Sequence, residues 1–510
     1  MPPATVMAQA ADASGIYLVL ALVLPVVGIL LNFLAGGRYA RVITLGLLAA
    51  GLGVAAGVVE GVWRTGAALT YLPGGWLPPL GVKLRADGLS AAMIAVTAIV
   101  IFAVGLYAPV EFRVPRGKPE TRKSLSFWIL LLAIWVAMNA VFLGNDLFNL
   151  YVALELVTFA AVPLVSLSGT AGTVRAALRY LLFVLIGSVL YLLGTALLYG
   201  QYGTLDIALL AERVRPGPGL WVAAALMTAG LAAKTALFPL HLWLPPAHSG
   251  APPAASALLS ALVVKGSFFL TVRIWFDVMP GLTGFAASQI LGAMGGGAIL
   301  FGGIVALRQA RLKLLIAYST LAQLGYLFLM FPLAAGALAA HSGVNLALSA
   351  GLYQAMTHAF AKAAMFMAAG LIAEAVGHDR IADLRGIGRA LPVTALAFGI
   401  AALSLIGVPP TGGFFTKWML LSAAAATGQW WWIVVVLAGG LLAGGYMFRF
   451  ISPALAEAET PLVIQVPVAR GRELVVLGLA IGALLLGVLP QRPLQMLQIG
   501  RAPNPVAVWP

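Results

Sequence analysis

Runs of about 20 consecutive apolar residues, the length one helical crossing of a bilayer requires, recur from Ile16 almost to the C-terminus with short polar breaks between them. Little chain is left for a soluble domain. The competing spanning architecture is a barrel, whose strands are segments of roughly ten residues with alternating polarity. These runs are instead continuous and rich in Leu, Ala and Val, which selects helices. Composition agrees, since 62% hydrophobic and 9% charged residues lie far from the averages of a soluble domain.

The expected spans are 16–35, 42–61, 88–108, 125–143, 147–168, 177–200, 219–239, 253–277, 283–306, 314–334, 345–374, 392–427, 430–450 and 472–489. This predicts an all-α polytopic membrane protein of about fourteen transmembrane helices. The first run lacks a basic segment before it, with only Asp12 preceding, so it reads as a helix and not as a signal peptide. The chain has no cysteine, which excludes disulfides, iron–sulfur clusters and zinc–thiolate sites on it; a redox cofactor is expected on another chain. The net charge of +14 is spread among loops and not gathered in a patch, so no nucleic-acid partner is expected.

With the N-terminus outside, eighteen Lys and Arg fall on the cytoplasmic side, among them Arg113, Arg116, Lys118 and Arg472, and eight fall outside, among them Arg273. The positive-inside rule therefore predicts both termini outside. The remaining four basic residues, Lys234, Lys265, Lys362 and Lys417, lie within spans. Two spans also carry helix breakers, Pro239 in the seventh and Pro409-Pro410 within Gly407–Gly413 of the twelfth. Broken helices five apart, each with a buried lysine, point to two five-helix repeats, 125–277 and 283–450, preceded by 1–124 and followed by 451–510.

A charge at the bilayer centre costs roughly 2.5–3.5 kcal/mol on insertion scales, which makes these lysines functional candidates. Lysines near a helix end escape the cost by snorkelling. Lys265, however, stands about 18 Å from either end of its span, too far for that. Glu155 is the one acid near the middle of a span, and Lys234 is its expected partner. A purely structural ion pair is the alternative for these two. One central acid cannot neutralise four lysines, so some amines spend part of their time uncharged and can exchange protons. His358 and Lys362 are four apart on one helical face, and imidazole is a natural relay. Tyr318, Ser319 and Gln323 could hold water between the halves or act as interhelical glue. His241 and His248 flank Trp243-Leu244-Pro245-Pro246, but with no third ligand nearby no metal site is expected. His341 and His378 fall in loops and receive no role. No phosphate loop or nucleophile elbow is present.

The segment from Lys234 through Phe238-Pro239 and Trp243-Leu244-Pro245-Pro246 to His248 resembles the signature of the antiporter-like membrane subunits. That superfamily includes proton-pumping subunits of respiratory complex I, large subunits of Mrp-type sodium/proton antiporters, and membrane-bound hydrogenase relatives. Further similarity lies in Lys313–Thr320, in His358-Ala359-Phe360-Ala361-Lys362 and in Gly407–Lys417. The resemblance implies fourteen helices with the two repeats inverted, and a polar chain at mid-depth. It also implies Glu155 and Lys234 as a coupling pair, Lys265 as central relay and Lys417 as terminal donor to the outside. Only about twenty residues follow the last span, so the long lateral helix of some members is absent, which favours a D-type Mrp or middle-subunit role. Where the family commonly reads Leu-Pro-Pro-Leu-Ser-Gly, this chain reads Val408-Pro409-Pro410-Thr411-Gly412-Gly413, which is expected to alter hydration at the second break.

The expected function is proton translocation within a multisubunit complex in a bacterial or archaeal inner membrane, with other membrane subunits, lipid, protons and sodium as partners. The chain is not expected to be catalytic alone. A quinone-linked oxidoreductase subunit and a proton-driven partner of inorganic-carbon uptake are the alternatives.

Overall fold

The computed structural model describes residues 15–112, 122–279, 284–339, 344–457 and 462–501. Arg113, Arg116, Lys118 and His341 lie outside the described residues. The helices, in chain order, are α1 (Gly15–Ala35), α2 (Gly37–Thr65), α3 (Gly88–Glu111), α4 (Arg122–Leu143), α5 (Leu147–Ser166), α6 (Ala171–Tyr202), α7 (Pro218–Thr235), α8 (Leu244–Gly250) and α9 (Pro253–Val278). Then follow α10 (Phe285–Leu307), α11 (Leu312–Ala335), α12 (Val344–Val376), α13 (Pro392–Ile406), α14 (Gly412–Ala426), α15 (Trp430–Leu455), α16 (Arg470–Val488) and α17 (Gln491–Gln498). A short antiparallel hairpin, Leu69–Tyr71 with Leu84–Ala86, joins α2 to α3.

Among the described residues, twelve helices are long and apolar enough to cross a membrane. The two expected spans missing from that set are the seventh and the twelfth, and both are interrupted. Instead of running through 219–239, the seventh is α7, a connection, and α8; instead of one helix over 392–427, the twelfth is α13, a connection, and α14. The two stops are built alike. Ala236 (φ 59°) and Gly407 (φ 90°) take the left-handed conformation, and the next N–H reaches back five residues, Leu237 to the Ala232 carbonyl at 2.9 Å and Val408 to the Leu403 carbonyl at 3.0 Å. Glycine adopts this shape freely. Alanine does so against its own Cβ, at a cost of roughly 1–2 kcal/mol. The breaks thus begin at Ala236 and Gly407, two to three residues before the prolines that advertise them. Thr411, the departure from the common family pattern, caps α14 by accepting from the Phe414 N–H at 3.4 Å.

The two halves share a second device. Leu147 N–H bonds the Leu205 carbonyl and Ile207 N–H the Asn145 carbonyl, pairing the chain before α5 with the chain after α6. Leu312 and Ile381 N–H make the same exchange with the Asp379 and Ala310 carbonyls, pairing the chain before α11 with the chain after α12.

α9 lies at the centre, with its whole apolar window buried, and α11 and α12 are nearly as enclosed, whereas α1, α2, α15 and α16 are mostly exposed. Within α9 the segments 259–263 and 274–278 are π-helical and bracket an α-helical stretch carrying Lys265. Such π-turns are frequent at functional sites.

Two basic residues assigned by sequence to opposite watery sides prove to be buried in helix ends. Arg273 at the end of α9 is 4% exposed; it meets Asp87 at 2.5 and 2.8 Å and Asp277 at 2.6 Å. Arg85 joins the cluster at 3.3 Å from Asp87 and donates to the Gly500 carbonyl, so the segment after α17 closes over it. At the other end of the bundle Arg472 bonds both oxygens of Glu374, at 2.8 and 2.7 Å, and lies over the Tyr107 ring. Both are tolerated because each has a carboxylate in contact, which offsets the several kcal/mol that desolvating an ion costs.

Candidate functional site

The polar residues of the interior form a line across the bundle, carried by α5, α6, α7, α9, α11, α12 and α14. At one end Lys234, in the last turn of α7, lies 2.8 Å from Glu155 of α5. Glu155 also accepts from the Ser188 hydroxyl of α6, and Thr158 stands 3.4 Å from the Lys234 ammonium. One residue on, Thr235 is hydrogen-bonded to Ser267 of α9 at 2.9 Å, tying the pair's helix to that of Lys265.

Lys265 is wholly buried. Its ammonium group donates to the Ser260 carbonyl inside the π-helical segment, and lies 2.6 Å from Nδ1 of His358 on α12. Of those two nitrogens one donates and the other accepts, and which does so depends on the tautomer of the imidazole and the protonation of the amine. One turn along α12, Lys362 donates to the Ser319 hydroxyl at 2.5 Å and to the Ile316 carbonyl at 3.1 Å, both on α11. Thr320 accepts or donates with Ser260 at 2.9 Å, which closes the ring back to α9.

The far end is an amide cluster. Gln354, one turn before His358, donates to Gln323 at 3.0 Å, and Gln323 donates to the Leu405 carbonyl at 2.9 Å. Thr416 donates to Gln354 at 2.7 Å. Its neighbour Lys417 reaches the Leu405 and Ile406 carbonyls at 2.9 and 2.7 Å and lies over the Tyr326 ring at 4.6 Å. Those carbonyls are the ones that the interruption after α13 leaves without helical partners. The negative end of α13 and the ring attract a cation by about 1–3 kcal/mol together, less than the several kcal/mol of ion desolvation.

Of the residues singled out by sequence, Glu155, Lys234, Lys265, His358, Lys362, Lys417, Ser319 and Gln323 are hydrogen-bonded along this line. Three are not. His241 packs between the rings of Phe238 and Phe301. His248 stacks on Phe366 at 4.6 Å, and neither ring nitrogen has a partner among the described residues. Tyr318, half-buried, makes no hydrogen bond among the described residues, because it faces away from the α11 stripe formed by Ile316, Ser319, Thr320 and Gln323. Pro239 lies in the connection between α7 and α8, and Pro409 and Pro410 in that between α13 and α14. Sequence reading passed over Ser188, Thr235, Ser260, Ser267, Thr320, Gln354 and Thr416. Gln354 could have been found, since Gln354, His358 and Lys362 repeat every four residues on one helix face.

Two interrupted crossings and a line of enclosed amines at mid-bundle define a polytopic membrane protein of the ion-translocating class. The chain belongs to the NADH:quinone oxidoreductase/Mrp antiporter transmembrane family, whose model matches residues 144–443. It is 35% identical over 465 residues to the N subunit of the NADH-quinone oxidoreductase of Desulforudis audaxviator, covering 86% of this chain and 89% of that one. It is 31% identical over 359 residues to the D-type subunit of the Na(+)/H(+) antiporter of Alkalihalophilus pseudofirmus, covering 70% of this chain and 69% of that one. A chain in the structure of the Mrp complex from Dietzia sp. DQ12-45-1b shares the fold, with a TM-score of 0.84 at 24% identity over 96% of this chain and 97% of that one.

Proposed function

We propose that this chain is the proton-translocating, antiporter-like subunit of a multisubunit membrane complex, and that the complex exchanges sodium for protons as a D-type Mrp subunit would. One observation carries the reading: along the interior line four lysines and a histidine face a single carboxylate, Glu155. Three of the lysines rest on carbonyls, hydroxyls or an imidazole and have no carboxylate partner among the described residues, so a proton can leave them without stranding an anion. In this reading the Glu155–Lys234 pair opens and closes as a switch, Lys265 and His358 relay the proton, Lys362 receives it, and Lys417 releases it outward. Groups not in direct contact, such as Lys234 and Lys265, exchange protons through water.

The two matching stops and the two matching strand exchanges support five-helix repeats, 125–277 and 283–450, inverted relative to each other. The excess of basic residues on one side supports a cell membrane location with both termini outside. Other membrane subunits, lipid, protons and sodium are the partners proposed, and no cofactor or metal is assigned to this chain. A second reading, a proton-pumping membrane subunit of an NADH:quinone oxidoreductase-like complex, is favoured by the name of the 35% identical relative.

Reconstitution of the purified complex in liposomes, with internal pH followed by a dye, tests the proposal. Protons should move under a sodium gradient, or under NADH and quinone if the second reading holds, and Glu155→Gln should lower the coupled rate by at least about tenfold. Absence of proton movement under either drive would sink both readings. Gly407 provides a finer test, because a Cβ there would stand 2.8 Å from Cδ of Lys417. Gly407→Ala is expected to cost roughly 1–2 kcal/mol in backbone strain and to slow transport by displacing Lys417. Gly399→Ala, with open space around it, should do neither.

A further inference from the structure

We propose a binding site for a phosphate group in the recess between the start of α6, α8 and the residue preceding α11, on the side of the bundle that carries the excess of basic residues. The cavity is ≈ 350 Å³, within the usual range for a small-molecule site. Three guanidinium groups line it, those of Arg175, Arg179 and Arg311, and no acidic residue does. Arg175 and Arg179 are four apart and share a face of α6. Neither makes a hydrogen bond or ion pair among the described residues. Arg311 spends only its Nε on Asp379, at 2.8 Å, which leaves the two terminal nitrogens free to donate.

Arg175 and Arg179 have no carboxylate partner among the described residues, and the Arg311 guanidinium is brought beside them from a segment remote in sequence, so positive charge is concentrated in the recess. Basic residues that only set topology have no reason to converge, and here those of α6 and of the chain before α11 do. The remaining lining fits the same ligand: Ser249 offers a hydroxyl without a partner among the described residues, and Gly172 lies in the first turn of α6, where N–H groups lack helical acceptors. Guanidinium forks match the oxygens of a phosphate in pairs. The recess also opens where α5 ends and α6 begins, the depth of lipid headgroups, so an anionic phospholipid or free phosphate supplies the same chemistry.

Occupancy would bear on how α8 packs against α11. Ser249 and Gly250 of the recess belong to α8, which carries His248, and Arg311 stands two residues before Lys313, whose ammonium donates to the Ala251 carbonyl. A bound phosphate would therefore brace α8 against the start of α11.

The purified complex in phosphatidylcholine nanodiscs, examined by native mass spectrometry and hydrogen exchange, distinguishes the sources. In one arm cardiolipin is titrated in; in the other, inorganic phosphate. Wild type should bind cardiolipin and protect 170–179 and 244–250 from exchange, with Arg175→Gln/Arg179→Gln weakening that by at least about tenfold. Arg175→Lys/Arg179→Lys should retain most of it, while Ser249→Phe, which fills the recess and leaves the charge, should lose it. Protection by inorganic phosphate alone would assign the site to the free anion. If the glutamine pair and Ser249→Phe both match wild type in both arms, the proposal fails.

Discussion

Replacing Lys265 with alanine should reduce proton translocation by at least about two orders of magnitude, the lower end of the range for loss of a positioned acid–base group, while the complex still assembles. Lys265 is wholly buried on the most enclosed helix and joins α9 to His358 at 2.6 Å, so it bridges the Glu155 half of the line to the Lys417 half. The substitution is also clean. Lys265 has no carboxylate partner among the described residues, so removing it strands no charge, whereas Lys234→Ala leaves Glu155 unpaired at a cost of about 3–5 kcal/mol. Internal pH in proteoliposomes measures the first effect and the thermal midpoint of the complex controls for the second. Transport within about twofold of wild type would remove Lys265 from the conduction route.

Asp87→Asn should be among the most damaging single substitutions to stability, at about 3 kcal/mol. The Arg273 guanidinium is 4% exposed and donates two bonds to Asp87; Asp277 and Ser90, the latter at 3.0 Å, remain after the change but do not replace the wholly buried Asp87 carboxylate. The double change Asp87→Asn/Arg273→Met should recover most of the loss by removing the buried cation that has lost its two bonds to Asp87. Burial pushes the Asp87 carboxyl up, but Arg273 beside it, with Arg85 and Arg501, overcomes this and holds it well below the usual carboxylate range. A depressed carboxylate contributes stability above its unfolded pKa and loses it only as pH falls through the folded value. The gap in thermal midpoint between wild type and Asp87→Asn should therefore be as wide at about pH 5 as at about pH 7. A gap that closes over that interval would mean Asp87 is not held by Arg273 as described.

How much could be read from the chain depended on how rare a residue type is in an apolar run. Glu155, Lys234, Lys265, Lys362 and Lys417 stood out because ionised groups in hydrocarbon are costly, and their pairing followed from there being one acid. Gln354, Thr235, Ser267 and Thr416 were passed over because amides and hydroxyls are ordinary interhelical contacts. His241, His248 and Tyr318 were expected on the line because of their chemistry, yet aromatic packing or helix phase turns them away from it. Arg273 and Arg472 were counted with the loops because their acids, Asp87 and Glu374, are remote in sequence.

The sequence by itself determined that this is a bundle of helices crossing a membrane, where it breaks, and which amines are enclosed, because each follows from the local cost of putting polar groups in lipid. Tertiary structure alone decided that Lys265 meets His358, that Lys362 meets Ser319, and that three arginines converge on one recess. Those facts depend on contacts between helices far apart in the chain, and no local cost encodes the distance between two side chains on different helices.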